Sequence, residues 1–287
     1  MSRIGAVAAV MALAALRSPA TGQERQQQAA PRDSTVRVTL RDGSVLYGQL
    51  VKRDADSVVV LGAAGRHAVA ASFVTDIRNA GTEHRDASGK PEYWLPNTNT
   101  TRLLFGPTGR TLARGTGYFG VHELIIASLN VGVTNRIQLG GGTFIIPNTD
   151  IWMLIPKLGI YQGERLNISV GALYGGARGE SGGIAYGVGT WGSADNSFTV
   201  GVGQGITGAK IEGKPAFMAG AERRISRRVA LVTENYIIRG EKASSEGIVM
   251  LGARFLAERF TLDFALMNVA TDPVFPGIPY VGFVIGW

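Results

Sequence analysis

Alternation of apolar and polar positions is the dominant pattern in the second half of the chain. Two clear examples are Leu166, Ile168, Val170, Ala172 and Tyr174, which alternate with Asn167, Ser169, Gly171 and Gly175, and Phe260, Leu262, Phe264 and Leu266, which alternate with Thr261, Asp263 and Ala265. A period of two residues indicates a strand with different surroundings on its two faces. We therefore predict strands with one apolar face and one face of mostly small residues with a few charges.

The connections between these strands also follow a pattern. Short polar turns are expected at 134–136, 162–165, 193–196, 224–227 and 258–259, and longer connections at "GGARGESGG", "GITGAKIEGK" and "RGEKASSEG". Short turns on one side and longer loops on the other are typical of outer-membrane β-barrels. The five turns join ten strands, and a terminal strand at 278–287 adds one.

An even strand number requires one more strand, and "TRLLFG" at 101–106 is the candidate for it. The fold class predicted is all-β: a transmembrane antiparallel up-and-down β-barrel of about twelve strands over 101–287, with ten as the alternative. Glu123 does not fit this scheme, because it shares parity with Phe119 and Val121, which should face lipid; either a position near the interface or a bulge would explain it.

The turn at 258–259 allows a prediction of register. A two-residue loop pairs Ala257 with Phe260, and this places Arg254 opposite Asp263 on the inward face. Phe255 and Leu262 then share the outward face. We predict a lumen pair between Arg254 and Asp263, the alternative being a solvated pair near the turn.

The chain ends in "YVGFVIGW", in which apolar residues precede a final tryptophan at every second position. A strand at a chain end is ordered when something pairs with it. Val281, Phe283, Ile285 and Trp287 are similar to the C-terminal signal by which outer-membrane proteins are recognised for insertion. The signal implies the barrel-assembly machinery as a partner. A buried terminal strand in a soluble sandwich is the alternative.

The N-terminal part is organised differently. Arg3 and a short apolar run predict a signal peptide over 1–22, since the run is shorter than a membrane span, and a polar linker follows at 23–34. Two hairpins, around Asp42-Gly43 and between Gly62 and Gly65, predict a small β domain at 35–79. Its "V-x-L-x-D-G-S-x-x-x-G-x-L" arrangement resembles the opening strands of SH3-like and Sm-like barrels. A linker is expected at 80–100.

Composition restricts the class further. Glycine supplies 40 of the 287 residues and cysteine none, which favours a glycine-rich β protein and excludes disulfides and thiol chemistry. The 29 lysines and arginines exceed the 22 aspartates and glutamates by seven, for a net charge of +7, and they are spread along the chain rather than clustered with aromatics. We therefore expect no nucleic-acid partner.

A family resemblance rests on residues 101–160. The motifs are "R-x-x-F-x-P-T-x-R" (Arg102, Phe105, Pro107, Thr108, Arg110), "G-x-G-Y" (Gly115, Gly117, Tyr118), "N-x-G-V-T" (Asn130, Gly132, Val133, Thr134) and "G-G-G-x-x-I-I-P" (140–147). With them the chain resembles a family of uncharacterised outer-membrane β-barrel proteins of Gram-negative bacteria. The resemblance implies a barrel in the outer membrane, with the N-terminal domain in the periplasm, and no agreed activity.

Three patterns that suggest chemistry are weak. Gly203, Gly205 and Gly208 match a dinucleotide-binding motif but lack a following helix. "GESGG" around Ser181 matches a hydrolase motif, but His67, His84 and His122 all precede it, and the segment is expected to be a loop. Isolated histidines without cysteine offer no metal site. We expect no catalytic residue, cofactor or metal.

Three hypotheses follow. The first is an outer-membrane β-barrel in contact with lipid, structural or a narrow pore, with a periplasmic SH3-like domain that has a possible protein partner. The second is a secreted soluble β-rich binding protein, lipocalin-like or a sandwich. The third is an enzyme on a barrel, with Ser181 as its nucleophile.

Overall fold

The computed structural model describes residues 35–62, 64–85, 88, 91–146, 150–208, 210–239 and 245–287, which form two antiparallel sheets. None of these residues belongs to a helix long and apolar enough to cross a bilayer. The signal peptide predicted over 1–22 and the polar linker over 23–34 lie outside the described residues.

The N-terminal sheet has the order β4-β3-β2-β1-β5-β6, with a single 3-10 turn at Ala71–Phe73 between β4 and β5. Its strands are β1 (Thr35–Leu40), β2 (Val45–Arg53), β3 (Ser57–Gly62), β4 (Gly65–Ala70), β5 (Val74–Arg85) and β6 (Pro91–Trp94). Alternate residues of β1 and β3 build its core: Val36, Val38, Val58 and Val60 are all buried.

The first predicted hairpin of this sheet is confirmed. Gly43 has a φ of 82°, a left-handed conformation that glycine adopts without strain, and the Asp42 carboxylate accepts the Ser44 N–H at 2.9 Å. The turn joins β1 to β2 in register, with Val38 opposite Leu46.

The linker prediction for 80–100 is wrong over its first part. β5 continues to Arg85, and β6 pairs with it, Thr82 lying opposite Trp94. Turn-forming residues suggested a linker, but Pro91 is the first residue of an edge strand, a position where a missing N–H donor is tolerated.

The remaining strands close into a barrel of twelve strand positions, as predicted. They are β7 (Gly117–His122), β8 (Ile126–Gly132), β9 (Ile137–Phe144), β10 (Trp152–Leu154), β11 (Lys157–Gln162), β12 (Leu166–Ala177), β13 (Glu180–Gly192), β14 (Asn196–Thr207), β15 (Lys210–Ser226), β16 (Val229–Arg239), β17 (Ser245–Leu256), β18 (Phe260–Val269) and β19 (Ile278–Gly286). The short β10 and β11 share one position, between β9 and β12. The last strand, β19, pairs with the first, β7.

The prediction that 101–106 is the first barrel strand is wrong. The missing strand is β7, because residues 117–132 form two strands rather than one. Glu123 and Leu124 have φ values of 51° and 60° and make the turn between them. The parity problem at Glu123 disappears, since this residue belongs to a turn and to neither strand.

Two of the three connections expected to be long loops are also corrected. β12 and β13 are joined at Arg178 and Gly179, whose φ values of 50° and 90° match a tight hairpin turn, and β15 begins at Lys210 only three residues after β14 ends. Glycine-rich sequence suggested loops, but glycine also fits a paired strand where another backbone approaches closely. The third connection lies between β16, which ends at Arg239, and β17, which begins at Ser245.

Apolar side chains cover the outside of the barrel and remain accessible. Large apolar residues on outward positions are between 38% and 64% exposed: Leu129, Leu139, Leu158, Ile168, Val170, Phe198, Val200, Phe217, Leu231, Ile237, Val249, Leu251, Phe255, Phe264 and Ile285. The inward positions between them carry buried polar and charged residues, among them Glu234, Arg254 and Asp263.

Candidate functional site: a plugged barrel lumen

The segment between β6 and β7 lies inside the barrel. We call residues 95–116 the plug. It contains no strand, and Arg102 and Pro107 form an isolated bridge that folds it into a turn. Inward side chains of the barrel strands hydrogen-bond to its backbone, among them Glu234, Lys157 and Ser169. The predicted "TRLLFG" segment is therefore part of the lumen filling.

Arg254, on β17, is the centre of the lumen network and is fully buried. Its Nε and Nη2 donate to the two oxygens of Asp263 at 2.7 and 3.1 Å, and Nη1 donates to Glu222 Oε2 at 2.8 Å. The remaining two bonds go to the plug: Nη1 to the Asn99 carbonyl at 3.2 Å and Nη2 to the Leu103 carbonyl at 2.5 Å. All five N–H donors of the guanidinium are thus used.

Asp263 connects this centre to a second arginine. Arg102, in the plug, lies 3.5 Å from Asp263 Oδ2 through its Nη2 and donates to the Asn99 side-chain oxygen at 3.1 Å through its Nε. Its Nη1 lies 2.7 Å from Nδ1 and 2.5 Å from Nε2 of His122, so the imidazole ring accepts from the guanidinium through one of its nitrogens. His122 was predicted to be an isolated histidine; it is instead a buried wall residue that holds the plug.

Glu234, on β16, receives the tip of the plug. Its carboxylate accepts the backbone N–H groups of Leu104 at 2.7 Å, Phe105 at 3.1 Å and Gly106 at 3.0 Å. It also accepts the hydroxyl of Tyr236 at 2.6 Å. Three successive backbone donors aimed at one carboxylate form a compact anion site, here filled by a side chain of the protein itself.

Lys157, on β11, holds the other limb of the plug. Its ammonium group donates to three plug carbonyls, those of Thr101 at 2.8 Å, Thr108 at 3.2 Å and Arg110 at 3.0 Å. This uses all three of its protons.

At Gly109 the plug touches the barrel wall. Its N–H donates to Thr190 Oγ1 at 2.8 Å, and its carbonyl accepts from Ser169 Oγ at 2.6 Å. A Cβ atom added here would overlap the Asn167 carbonyl oxygen, so only glycine fits.

Charged side chains are buried inside the barrel and are matched by partners. The buried cations are Arg102, Lys157, Arg224 and Arg254, and the buried anions are Glu222, Glu234 and Asp263. Arg224 pairs with the Asp195 carboxylate at 2.9 Å. Burial of ions costs several kcal/mol each unless partners replace the water, and the plug backbone supplies those partners. The wall and the plug therefore satisfy one another, and the lumen at this level contains protein.

Comparison with known proteins finds similar solved structures. No family model matches the chain, and no curated protein matches it. It is similar to the KdgM porin, with 8% identity over 60% of this chain and 95% of that chain at a TM-score of 0.43. It is also similar to the NanC porin, with 10% identity over 60% and 97% at a TM-score of 0.41. The match to OmpT, an outer membrane protein of Vibrio cholerae, has 10% identity over 88% and 95% at a TM-score of 0.33.

The sequence-predicted residues take these positions. Arg254 and Asp263 are register partners on β17 and β18, and both are fully buried. Ile285 and Trp287, at the chain end, are 45% and 54% exposed on the outer face. The Phe283 ring lies 6.3 Å from that of Phe119, on β7, and Trp287 exchanges backbone hydrogen bonds with Gly117.

Sequence reasoning missed Lys157, Glu222, Glu234 and the whole plug. A signal for them exists: each charged residue occupies an inward position on an otherwise apolar-alternating strand. A buried charge requires a partner. The sequence places no oppositely charged residue opposite these three on the neighbouring strands, so their partners must come from elsewhere.

The weak chemical motifs have structural roles. Ser181 is the second residue of β13, and its hydroxyl lies 2.8 Å from that of Tyr174. Gly203 and Gly205 lie within β14, and another strand follows where a dinucleotide site needs a helix. Among the described residues, no group of three metal-ligating side chains comes together.

Proposed function

We propose that the chain is an integral outer-membrane β-barrel protein of a Gram-negative bacterium, without catalytic activity, whose lumen is closed by its own plug. The observation that carries the proposal is the distribution of side chains. Outward apolar residues such as Leu251, 64% exposed, face the surroundings, while charged residues such as Arg254 are fully buried inside. A soluble monomer seldom exposes so large an apolar surface, whereas a barrel in lipid requires one.

The plug supports a structural or narrow pore-type role. The plug is bound to Glu234, Lys157 and Arg254 on the wall. Hydrophilic solutes could therefore pass through the lumen only if the plug moves. A broad, permanently open channel fits this plug-filled interior less well.

The N-terminal sheet supports a second part of the proposal. Its strand order β4-β3-β2-β1-β5 and its four-valine core fit an SH3-like or Sm-like domain, which we assign to the periplasm, where it would contact a protein partner. The proposed organisation is a signal peptide at 1–22, a polar linker at 23–34, this domain from 35, the plug, and the barrel to 287. The C-terminal residues Val281, Phe283, Ile285 and Trp287 would present β19 to the barrel-assembly machinery.

The secreted soluble alternative, lipocalin-like or a sandwich, needs the outward apolar positions to be covered. They are exposed on the twelve-strand wall, which favours lipid contact instead.

Fractionation tests the proposal. The full chain is expressed in a Gram-negative host, membranes are separated, and electrophoretic mobility is compared with and without boiling. Recovery in the outer membrane and a shift on heating are the expected result. Recovery as a detergent-free soluble protein without a shift would refute it.

A further inference from the structure

The inner wall changes character beyond the plug tip. Alternate residues of a strand share a face, so Ile278, two residues before Tyr280, and Ile238, four residues after Glu234, also turn inward. Leu173 lies four residues after Ser169, whose hydroxyl reaches the plug, so Leu173 and its register partner Ile184 on β13 also face inward. Exposure in this set is 50% for Ile278, 41% for Ile238, 41% for Leu173 and 46% for Ile184. These side chains border open space inside a closed barrel, which we call the vestibule.

The floor of the vestibule is apolar as well. Phe105, at the plug tip, is 42% exposed, and its ring packs edge-on against Tyr280 with centroids 4.7 Å apart. Ile248 and Met267 pack against the buried cluster that contains Leu103 and Leu104. The charged network at Arg254 and Glu234 therefore lies beneath an apolar layer formed by Phe105, Tyr280, Ile248 and Met267.

The barrel wall is low on one side of the vestibule. β7 has 6 residues and β15 has 17. With a rise near 3.3 Å per residue and a tilt near 40°, these strands reach heights of about 15 Å and about 43 Å, against an apolar band of about 25 Å. The low rim carries exposed apolar residues rather than polar ones: Leu124 is 70% exposed, Ile145 54% and Ile146 45%. A rim of this composition suits the interior of a membrane.

We propose that the vestibule binds hydrocarbon, namely an acyl chain of a lipid from the surrounding membrane, which enters sideways over the rim formed by the β7–β8 turn and the end of β9. The open space is lined by Leu173, Ile184, Ile238 and Ile278, and the rim places the bilayer beside it. The proposal rests on the membrane location proposed above and adds to it a site inside the barrel.

Photocrosslinking tests the site. The photoreactive residue p-benzoylphenylalanine is introduced in place of Ile184 or Ile278 in the vestibule, and in place of Phe198 or Phe217 on the outer face. The full-length variants are reconstituted into phosphatidylethanolamine vesicles, irradiated, delipidated and weighed by mass spectrometry. A heat-dependent mobility shift selects the folded variants.

Phospholipid adducts at all four positions are the expected result. Adducts at 198 and 217 with none at 184 and 278 would refute the vestibule site and leave the membrane location intact. No adduct at any of the four would refute the membrane location itself. In a second arm with added oleic acid, adducts at 184 and 278 of the mass of oleic acid alone would show a free fatty acid, not a membrane lipid, to be the occupant.

A second variant guards against non-specific labelling. Leu173 is the register partner of Ile184 and faces the same space, so Leu173→Arg adds a charge and bulk to the vestibule. It should suppress the adduct at 184 and leave the adduct at 198 unchanged. An undiminished adduct at 184 would contradict binding in the vestibule.

Discussion

Arg254 and Asp263 lie opposite each other on neighbouring strands and are joined by two hydrogen bonds, of 2.7 and 3.1 Å, inside the barrel. The pair alone does not satisfy Arg254, because the guanidinium has five N–H donors and Asp263 accepts only two of them. The other three reach Glu222 and two plug carbonyls. The pair therefore couples the stability of the wall to the position of the plug.

Removal of the arginine should be costly. Arg254→Met leaves two buried carboxylates without their main cation and should lower the free energy of unfolding by about 3–5 kcal/mol. Urea titration in detergent, followed by gel mobility, measures this. Arg223→Met is the matched control, because Arg223 is exposed on the outer face. Equal effects of the two substitutions would contradict the network.

A side chain at position 109 should displace the plug. In Gly109→Val the new Cβ would overlap the Asn167 carbonyl, so the plug must move from the wall. We expect a steady ionic current in planar bilayers where the wild-type protein gives none. Gly189→Val is the control, because a Cβ at Gly189 has open space around it. A silent Gly109→Val barrel that still shows the heat-dependent mobility shift would argue against closure by the plug.

The outer face distinguishes a membrane protein from a soluble one. Leu251→Arg places a charge on a residue that is 64% exposed in the middle of β17. In lipid this should cost about 2–4 kcal/mol, whereas an exposed surface substitution in water usually changes stability by no more than about 0.5 kcal/mol. Folding titrations into lipid vesicles give the value. Phe275→Arg, at a loop residue that is 98% exposed, should have no such cost.

Acid should weaken the N-terminal sheet through Asp54. The Lys52 side chain, and then the Ser57 N–H at 2.6 Å, hold the pKa of this carboxyl well below its usual range. A lowered folded-state pKa gives stability that is present above the unfolded-state pKa, near 3.9, and is lost as the pH falls below it. At pH 6 the Val58 and Val60 amides should exchange with solvent more slowly in the wild-type protein than in the Asp54→Asn variant. The difference should shrink as the pH falls below about 4; a constant difference would contradict this assignment.

Much of the barrel was predictable from the sequence because the determining signals are local. Alternation in β12 and β18 identifies strands whose two faces differ, and the short turn at 258–259 determines the register that brings Arg254 opposite Asp263. The twelve-strand total also follows from parity. Its first strand was misplaced, because the turn at Glu123 uses left-handed φ values in non-glycine residues, which sequence does not signal.

The plug was not predictable by the same reasoning. "LLF" at 103–105 has the composition of a strand, and its true environment depends on wall residues more than 100 positions away, such as Glu234. Only the inward charges on β11, β15 and β16 indicate that something polar must enter the lumen, and they do not say which segment does so. Long-range complementarity of this kind is decided by the closed barrel and not by local pattern.

The central claim is a barrel in lipid with a sealed interior, and cysteine labelling tests it most directly because the chain has no cysteine of its own. Single cysteines are placed at Met250 and Ala265, which are buried beside the plug, at Leu251, on the outer face, and at Phe275, in a loop. In vesicles, a membrane-impermeant thiol reagent should label position 275 only, and a lipid-soluble maleimide should label position 251. Rapid labelling of position 250 or 265 by the impermeant reagent would show an open lumen, and labelling of position 251 by that reagent would show that the outer face does not lie in lipid.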